Sequence, residues 1–191
     1  MNWNKLVEVI LDELNSANEG NSCIMATAVL LDVFRAKVIN NAYALTVKPR
    51  ILNPEFTKRL SDEPFTQTPD LLAIWKDEGC FMVAIGNNTD SKSQWNAHLV
   101  TVIPKALKGR DAICDLTITQ ANVPDWGIEL APVMVGASDL FTQGKEALAV
   151  TINSCRIIYM AFPEDRSFEQ TLLWKPNDKR EYIVKRVLAK L

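Results

Sequence analysis

Cys23-Ile-Met-Ala-Thr-Ala-Val-Leu-Leu-Asp-Val-Phe-Arg35 is apolar nearly all round. Such a segment predicts a buried central helix rather than a surface one. It follows Asn15-Ser-Ala-Asn-Glu-Gly-Asn-Ser22, a loop by composition, with Asn21 or Ser22 placed to cap the helix. Upstream, Trp3 to Leu14 reads as an amphipathic helix capped by Asn2. Leu6, Ile10 and Leu14, joined by Val7 and Leu11, form its apolar stripe, and Glu8, Asp12 and Glu13 are expected to face water.

Downstream the pattern changes period. Ala42–Val47, Phe81–Ile85, Ala97–Ile103, Ala112–Leu116, Ala147–Ile152 and Arg156–Phe162 are rich in β-branched residues and read as strands. Asn53–Leu60 reads as a short helix, Ser61–Asp70 as a mobile surface loop with two prolines, and about Asn177 to Ala189 as a last helix opened near Pro176. Helices first and then a run of short strands indicate an α+β fold with an antiparallel sheet. At 191 residues, a single domain over the whole chain is the expectation.

Composition narrows the function classes. With 48% hydrophobic residues the chain can bury a core without disulfides, and its 23% of charged residues sum to a net −2. No basic cluster suits a phosphate backbone, so no nucleic-acid partner is expected. The cations from Lys175 to Lys190 alternate with Asp178 and Glu181 and read as a solvated helix face. The longest apolar runs, Ala26–Leu31 and the interrupted Ile128–Ala137, fall well short of the roughly 20 residues of a membrane span. No secretory signal pattern is seen at the N-terminus, so the expectation is a cytoplasmic protein without a membrane partner. Cys23, Cys80, Cys114 and Cys155 lie far apart and form no CxxC pair. Neither a disulfide framework nor a metal site is expected, and nothing calls for a cofactor.

Three residues carry candidate chemistry. Cys23 opens a buried helix, where unpaired N–H groups and the helix dipole favour a thiolate and can also stabilise an oxyanion. The bland reading is a small apolar residue in a packed helix. His98, the one histidine, lies in Ala97-His-Leu-Val-Thr-Val-Ile103, where alternation sets His98, Val100 and Val102 on one face. The polar connection Pro104–Asp111 then leads into Ala112-Ile-Cys-Asp115. A hairpin with paired residue numbers summing to about 213 would set Asp115 directly opposite His98. Asp115 could then accept from Nδ1–H and leave Nε2 for a nucleophile, whereas its bland reading is a strand-end acid. Cys114 points to the other face, and Tyr159, Phe162 and Trp174 read as core. The stretch Asp115–Trp126 reads as a partly buried loop that could line a cleft.

Asn21-Ser-Cys23, Trp95-Asn-Ala-His98-Leu-Val and Cys114-Asp115-Leu-Thr117 together resemble the transglutaminase-like branch of the papain-like cysteine enzymes, which includes arylamine N-acetyltransferases and several bacterial peptidases and amidases. The resemblance spans Asn21 to about Gln120, with Leu116 where the family's Asp-Pro-Thr-like segment has proline. It implies a papain-like fold, with the nucleophile helix packed on the sheet. It also implies a thiol-dependent hydrolase (peptidase or amidase) or acyltransferase, in which Cys23 attacks an amide, peptide, isopeptide, ester or thioester carbonyl, His98 is the base and Asp115 orients it. The substrate would be a small molecule or peptide. One departure stands out: the glutamine that papain-like peptidases carry six residues before the cysteine is Ala17 here. Asn18, Asn21, Ser22, Trp95 and Thr117 are the remaining candidates for oxyanion or substrate contacts. The alternative is a catalytically inactive binding or scaffold domain that keeps the fold. An acetyl-CoA-dependent acetyltransferase ranks lower, because no basic pocket for the CoA phosphates is visible.

Overall fold

The computed structural model describes residues 2–20, 22–62, 69–86 and 96–191, excepting the side chains of 62 and 69–72. Two helices, α1 (Trp3–Ser16) and α2 (Cys23–Ala36), precede β1 (Tyr43–Leu52). Then follow α3 (Pro54–Asp62), α4 (Pro69–Asp77), β2 (Met82–Ala84), β3 (His98–Leu107) and β4 (Arg110–Asp115). Two 3-10 turns, Ile118–Ala121 and Pro124–Trp126, lead into β5 (Val133–Ala137), a single-turn α5 (Asp139–Thr142), the hairpin β6 (Ala147–Ile152) and β7 (Cys155–Ala161), and α6 (Asp178–Lys190). The fold is α+β.

All pairings are antiparallel and form one sheet in the order β5-β4-β3-β1-β7-β6, with β2 beside the C-terminal part of β1. Side-chain alternation divides this sheet between two cores. Ile103, Ala112, Cys114 and Leu116 meet Leu6, Ile10, Met25, Val29, Val33, Ile183 and Val187 from α1, α2 and α6. The other face buries Leu45, Val47, Val100, Val102, Ile113, Val133, Ile157 and Tyr159 with Ile118, Ile128 and Phe141. A smaller cluster seats α3 and α4 on the sheet through Leu52, Phe56, Trp75 and Cys80.

Several expectations are corrected. The connection read as Pro104–Asp111 is mostly strand: β3 runs to Leu107 through an irregularity after Ile103, and the turn closes at Lys108-Gly109. The segment read as a Ser61–Asp70 loop ends α3 and begins α4, because proline at a helix's first position costs no hydrogen bond. Its residues 63–68 lie outside the described residues. β5 has no counterpart among the strands expected from the sequence.

Glu13, expected to face water, is 2% exposed and accepts charged hydrogen bonds from Arg186 and Lys190 of α6. Arg180 is buried too, with Nε 2.7 Å from Asp32 and Nη1 2.6 Å from the Trp174 carbonyl. The basic face of α6 is therefore in part an interface with α1 and α2. Phe162, read as core, is exposed, and Trp174 is only half-buried. Among the described residues no helix is long and apolar enough to cross a membrane, and no group of three or more His, Cys, Asp or Glu could hold a metal ion.

Candidate active site

Ser22 caps α2, its hydroxyl accepting from Met25 N–H at 3.1 Å, so Cys23 takes the first helical position. One turn further along the same helix face, Thr27 donates its hydroxyl to the Leu99 carbonyl at 3.2 Å, inside the core. Leu99 follows His98 directly. A single hydrogen bond thus ties the turn after Cys23 to the residue after His98.

His98 and Asp115 meet, in a register other than the expected one. Thr101 pairs with Cys114 and Val102 with Ile113. The expected register would have paired Leu99 with Cys114, so the strands are offset by two residues. An even offset leaves both side chains on one face, and His98 becomes the diagonal neighbour of Asp115. The longer reach decides which nitrogen is used. Nε2, not the expected Nδ1, lies 2.9 and 3.0 Å from the two carboxylate oxygens. Nδ1 is left with no ordinary hydrogen bond.

Asp115 is fully buried and fully engaged. Besides the His98 ring it accepts the Thr117 N–H on Oδ1 at 3.1 Å and the Tyr159 hydroxyl on Oδ2 at 3.0 Å. A buried carboxylate needs such donors in place of water. His98 is itself 0% exposed, and burial alone would strip its ring of charge. The Asp115 charge and hydrogen bond outweigh that penalty, the Cys23 thiol adds to them, and the imidazole is pushed up to about 10. Cys23 is thus near enough to the ring to favour its protonated form, with no ordinary hydrogen bond to Nδ1. Alternation sets His98 and Asp115 on the face opposite α2. They meet Cys23 because all three stand at element ends: His98 opens β3, Asp115 closes β4 and Cys23 opens α2.

The other candidates divide. Thr117 contributes through its backbone, on Asp115. The Ser22 hydroxyl is engaged as the cap. Asn18 is exposed in the left-handed residue that ends the α1 turn, and among the described residues it makes no hydrogen bond to the three. Asn21 and Trp95 lie outside the described residues. The free donors beside the thiol are backbone ones: among the described residues the N–H groups of Cys23 and Ile24 have no partner, while Met25 and Ala26 donate to Ser22. Trp126 stacks on Phe81 with ring centroids 4.7 Å apart yet stays exposed, and the stretch Asp115–Trp126 is buried at its start and exposed at its end, as in a partly buried loop.

In comparisons with known proteins, no family model, no curated protein and no solved structure matches this chain.

Two residues went unnoticed in the sequence. Tyr159 reads as core from the alternation Cys155, Ile157, Tyr159, and nothing local signals a partner on another strand. Gly86 has φ +82°, and a Cβ there would lie 2.7 Å from the Cα of Ala97, the residue before His98. A glycine ending a strand pattern was the available signal.

Proposed function

We propose that this chain is a cysteine-dependent hydrolase or acyltransferase, with Cys23 as nucleophile, His98 as acid and base and Asp115 as the orienting carboxylate. The observation that carries this reading is a buried imidazole held by Asp115 through Nε2, with Nδ1 left without an ordinary partner and the thiol of Cys23, at a helix N-terminus, acting on the same ring. The thiolate attacks a carbonyl carbon, and the oxyanion that forms is stabilised by the Cys23 and Ile24 N–H groups. The His98 imidazolium gives its proton to the leaving group, and an acyl-thioester remains on Cys23. His98, now neutral, takes a proton from water or an amine as that nucleophile attacks, and the thiolate–imidazolium pair is restored. In this reading the helix, hairpin and triad together are a papain-like, transglutaminase-like arrangement acting on an amide, peptide or thioester.

A second reading, an inactive binding or scaffold domain, draws on the full burial of His98 and on the lack of a side-chain oxyanion donor among the described candidates. One experiment separates the two. The protein is treated with p-nitrophenyl acetate and its acetylation followed by intact mass and peptide mapping. Rapid single acetylation of Cys23, absent in Cys23→Ser and slowed in His98→Gln, supports catalysis. Acetylation of Cys23 no faster than that of a free thiol at the same pH overturns it.

A further inference from the structure

The Asp115 carboxylate has two oxygens, and only one of them is tied down by its own strand end. Thr117 N–H reaches Oδ1 from two residues away, whereas Oδ2 is held by the Tyr159 hydroxyl at 3.0 Å. Tyr159 comes from β7, two strands beyond β3 in the sheet, and is 0% exposed within the second core. The phenol is an expensive choice for that position if packing were its whole purpose, because its hydroxyl needs a buried partner that phenylalanine would not. Here that partner is the carboxylate that faces the histidine. We propose that Tyr159 is a positioning residue of the Cys23–His98–Asp115 site, whose hydroxyl fixes the Asp115 carboxylate and sets how much of its negative charge is offered to the His98 ring.

This rests on the proposed function and deepens it. Among the described residues, the groups acting on the ring are Asp115 of β4 and Cys23 of α2, with Tyr159 of β7 acting through Asp115; Cys114 lies on the other sheet face. Burial and the Asp115 charge already hold the Tyr159 phenol well above its ordinary range, so it stays protonated and donates across the working pH range. A carboxylate that shares its charge with a phenol offers less of it to the imidazolium. Removing the hydroxyl therefore strengthens the hold on the histidine proton, and a more acidic phenol weakens it.

His98 is the single histidine of the chain, so a histidine-selective ¹⁵N label gives one imidazole whose titration is read without assignment. In Tyr159→Phe the midpoint should rise by about half a pH unit or more, and the Nε2–H signal should move downfield. Replacing all three tyrosines by 3-fluorotyrosine keeps the shape, sharpens the donor and should move both readouts the other way. A phenol that merely packs would move neither. An unchanged midpoint in both samples, while Asp115→Asn drops it towards the ordinary histidine value, overturns the role of Tyr159 and leaves the site reading standing. If Asp115→Asn also leaves the midpoint in place, the His98–Asp115 reading itself falls.

Discussion

Thr27 Oγ1 donates to the Leu99 carbonyl at 3.2 Å in the core, and this bond sets the helix bearing Cys23 against the strand bearing His98. Thr27 lies one helical turn from the thiol and Leu99 one residue from the imidazole, so little slack separates thiol and imidazole. Thr27→Val keeps the shape and deletes the donor. It should cost about 1 kcal/mol of stability, the net worth of a typical internal hydrogen bond. Cys23 alkylation should slow several-fold, because small displacements at a reacting pair carry large rate penalties. Denaturant melts and iodoacetamide kinetics on the same samples check both. A loss of stability with unchanged alkylation would mean that the bond holds the core but not the site.

The four thiols should separate by reactivity. Cys80, Cys114 and Cys155 are buried. Burial raises Cys80 and Cys155, and burial together with the Asp115 charge pushes Cys114 up to about 12. All three should remain protonated and slow near pH 6.5. Cys23 is half-buried, at a helix start beside an imidazolium. Brief iodoacetamide labelling at about pH 6.5, mapped by mass spectrometry, should mark Cys23 first, and Asp115→Asn or His98→Gln should slow it about tenfold or more. Uniform labelling of the four cysteines would count against an activated thiol.

His98 should also leave a signature in stability against pH. Its folded value is raised above the ordinary 6.5 to about 10, so the folded state keeps a proton that the unfolded chain releases. The stabilisation is fully present below about pH 6.5 and is lost as pH rises towards 10, with a limiting slope of about 1.4 kcal/mol per pH unit. Unfolding free energy should decline across that window. His98→Gln should lessen the decline at its neutral end, while the buried thiols, raised as well, keep a decline at the alkaline end. Parallel curves for the two proteins would show that the ring is neutral in the fold.

Glu13 predicts the opposite limb. Hydrogen bonds from Arg186 and Lys190 hold its carboxyl below the usual 4.5 despite burial. Its contribution is present above the unfolded value and is lost as pH falls through the lowered folded one. Glu13→Gln should reduce the melting temperature by several degrees at pH 7, and the gap to wild type should narrow in acid. A constant gap from pH 7 to pH 3 would locate the loss in packing rather than charge.

How far the sequence carried this fold depends on the range of the signal. Period and composition were enough for α1, α2, α6 and most strands, and alternation together with an assumed hairpin set His98 and Asp115 on a common face, because parity survives a two-residue error in register. The offset and the choice of Nε2 were not legible, since they follow from how β3 and β4 pair around Lys108-Gly109 rather than from any local pattern. Glu13 reads as solvated on α1, and only the docking of α6 makes it a buried acceptor. Tyr159 is the same case for the site: its hydroxyl meets a carboxylate 44 residues away in sequence.

Gly86 extends this lesson to the backbone behind His98. Its φ of +82° belongs to the left-handed region, and an added Cβ would come within 2.7 to 3.3 Å of the Cα, C and N atoms of Ala97. Backbone cannot swing aside as a flexible side chain would, so Gly86→Ala must either force Ala97 away or abandon its own conformation. Strain of this kind costs of order 1–3 kcal/mol. Because Ala97 precedes His98, a shifted Ala97 would carry the imidazole with it. The variant should therefore lose both stability and the rapid labelling of Cys23. Gly79→Ala is the matched control: φ is +85° there as well, but nothing lies within 4 Å of the added Cβ. It should share the backbone strain and keep the thiol's reactivity. Equal labelling rates in the two variants would show that the approach of Gly86 to Ala97 does not hold the histidine in place.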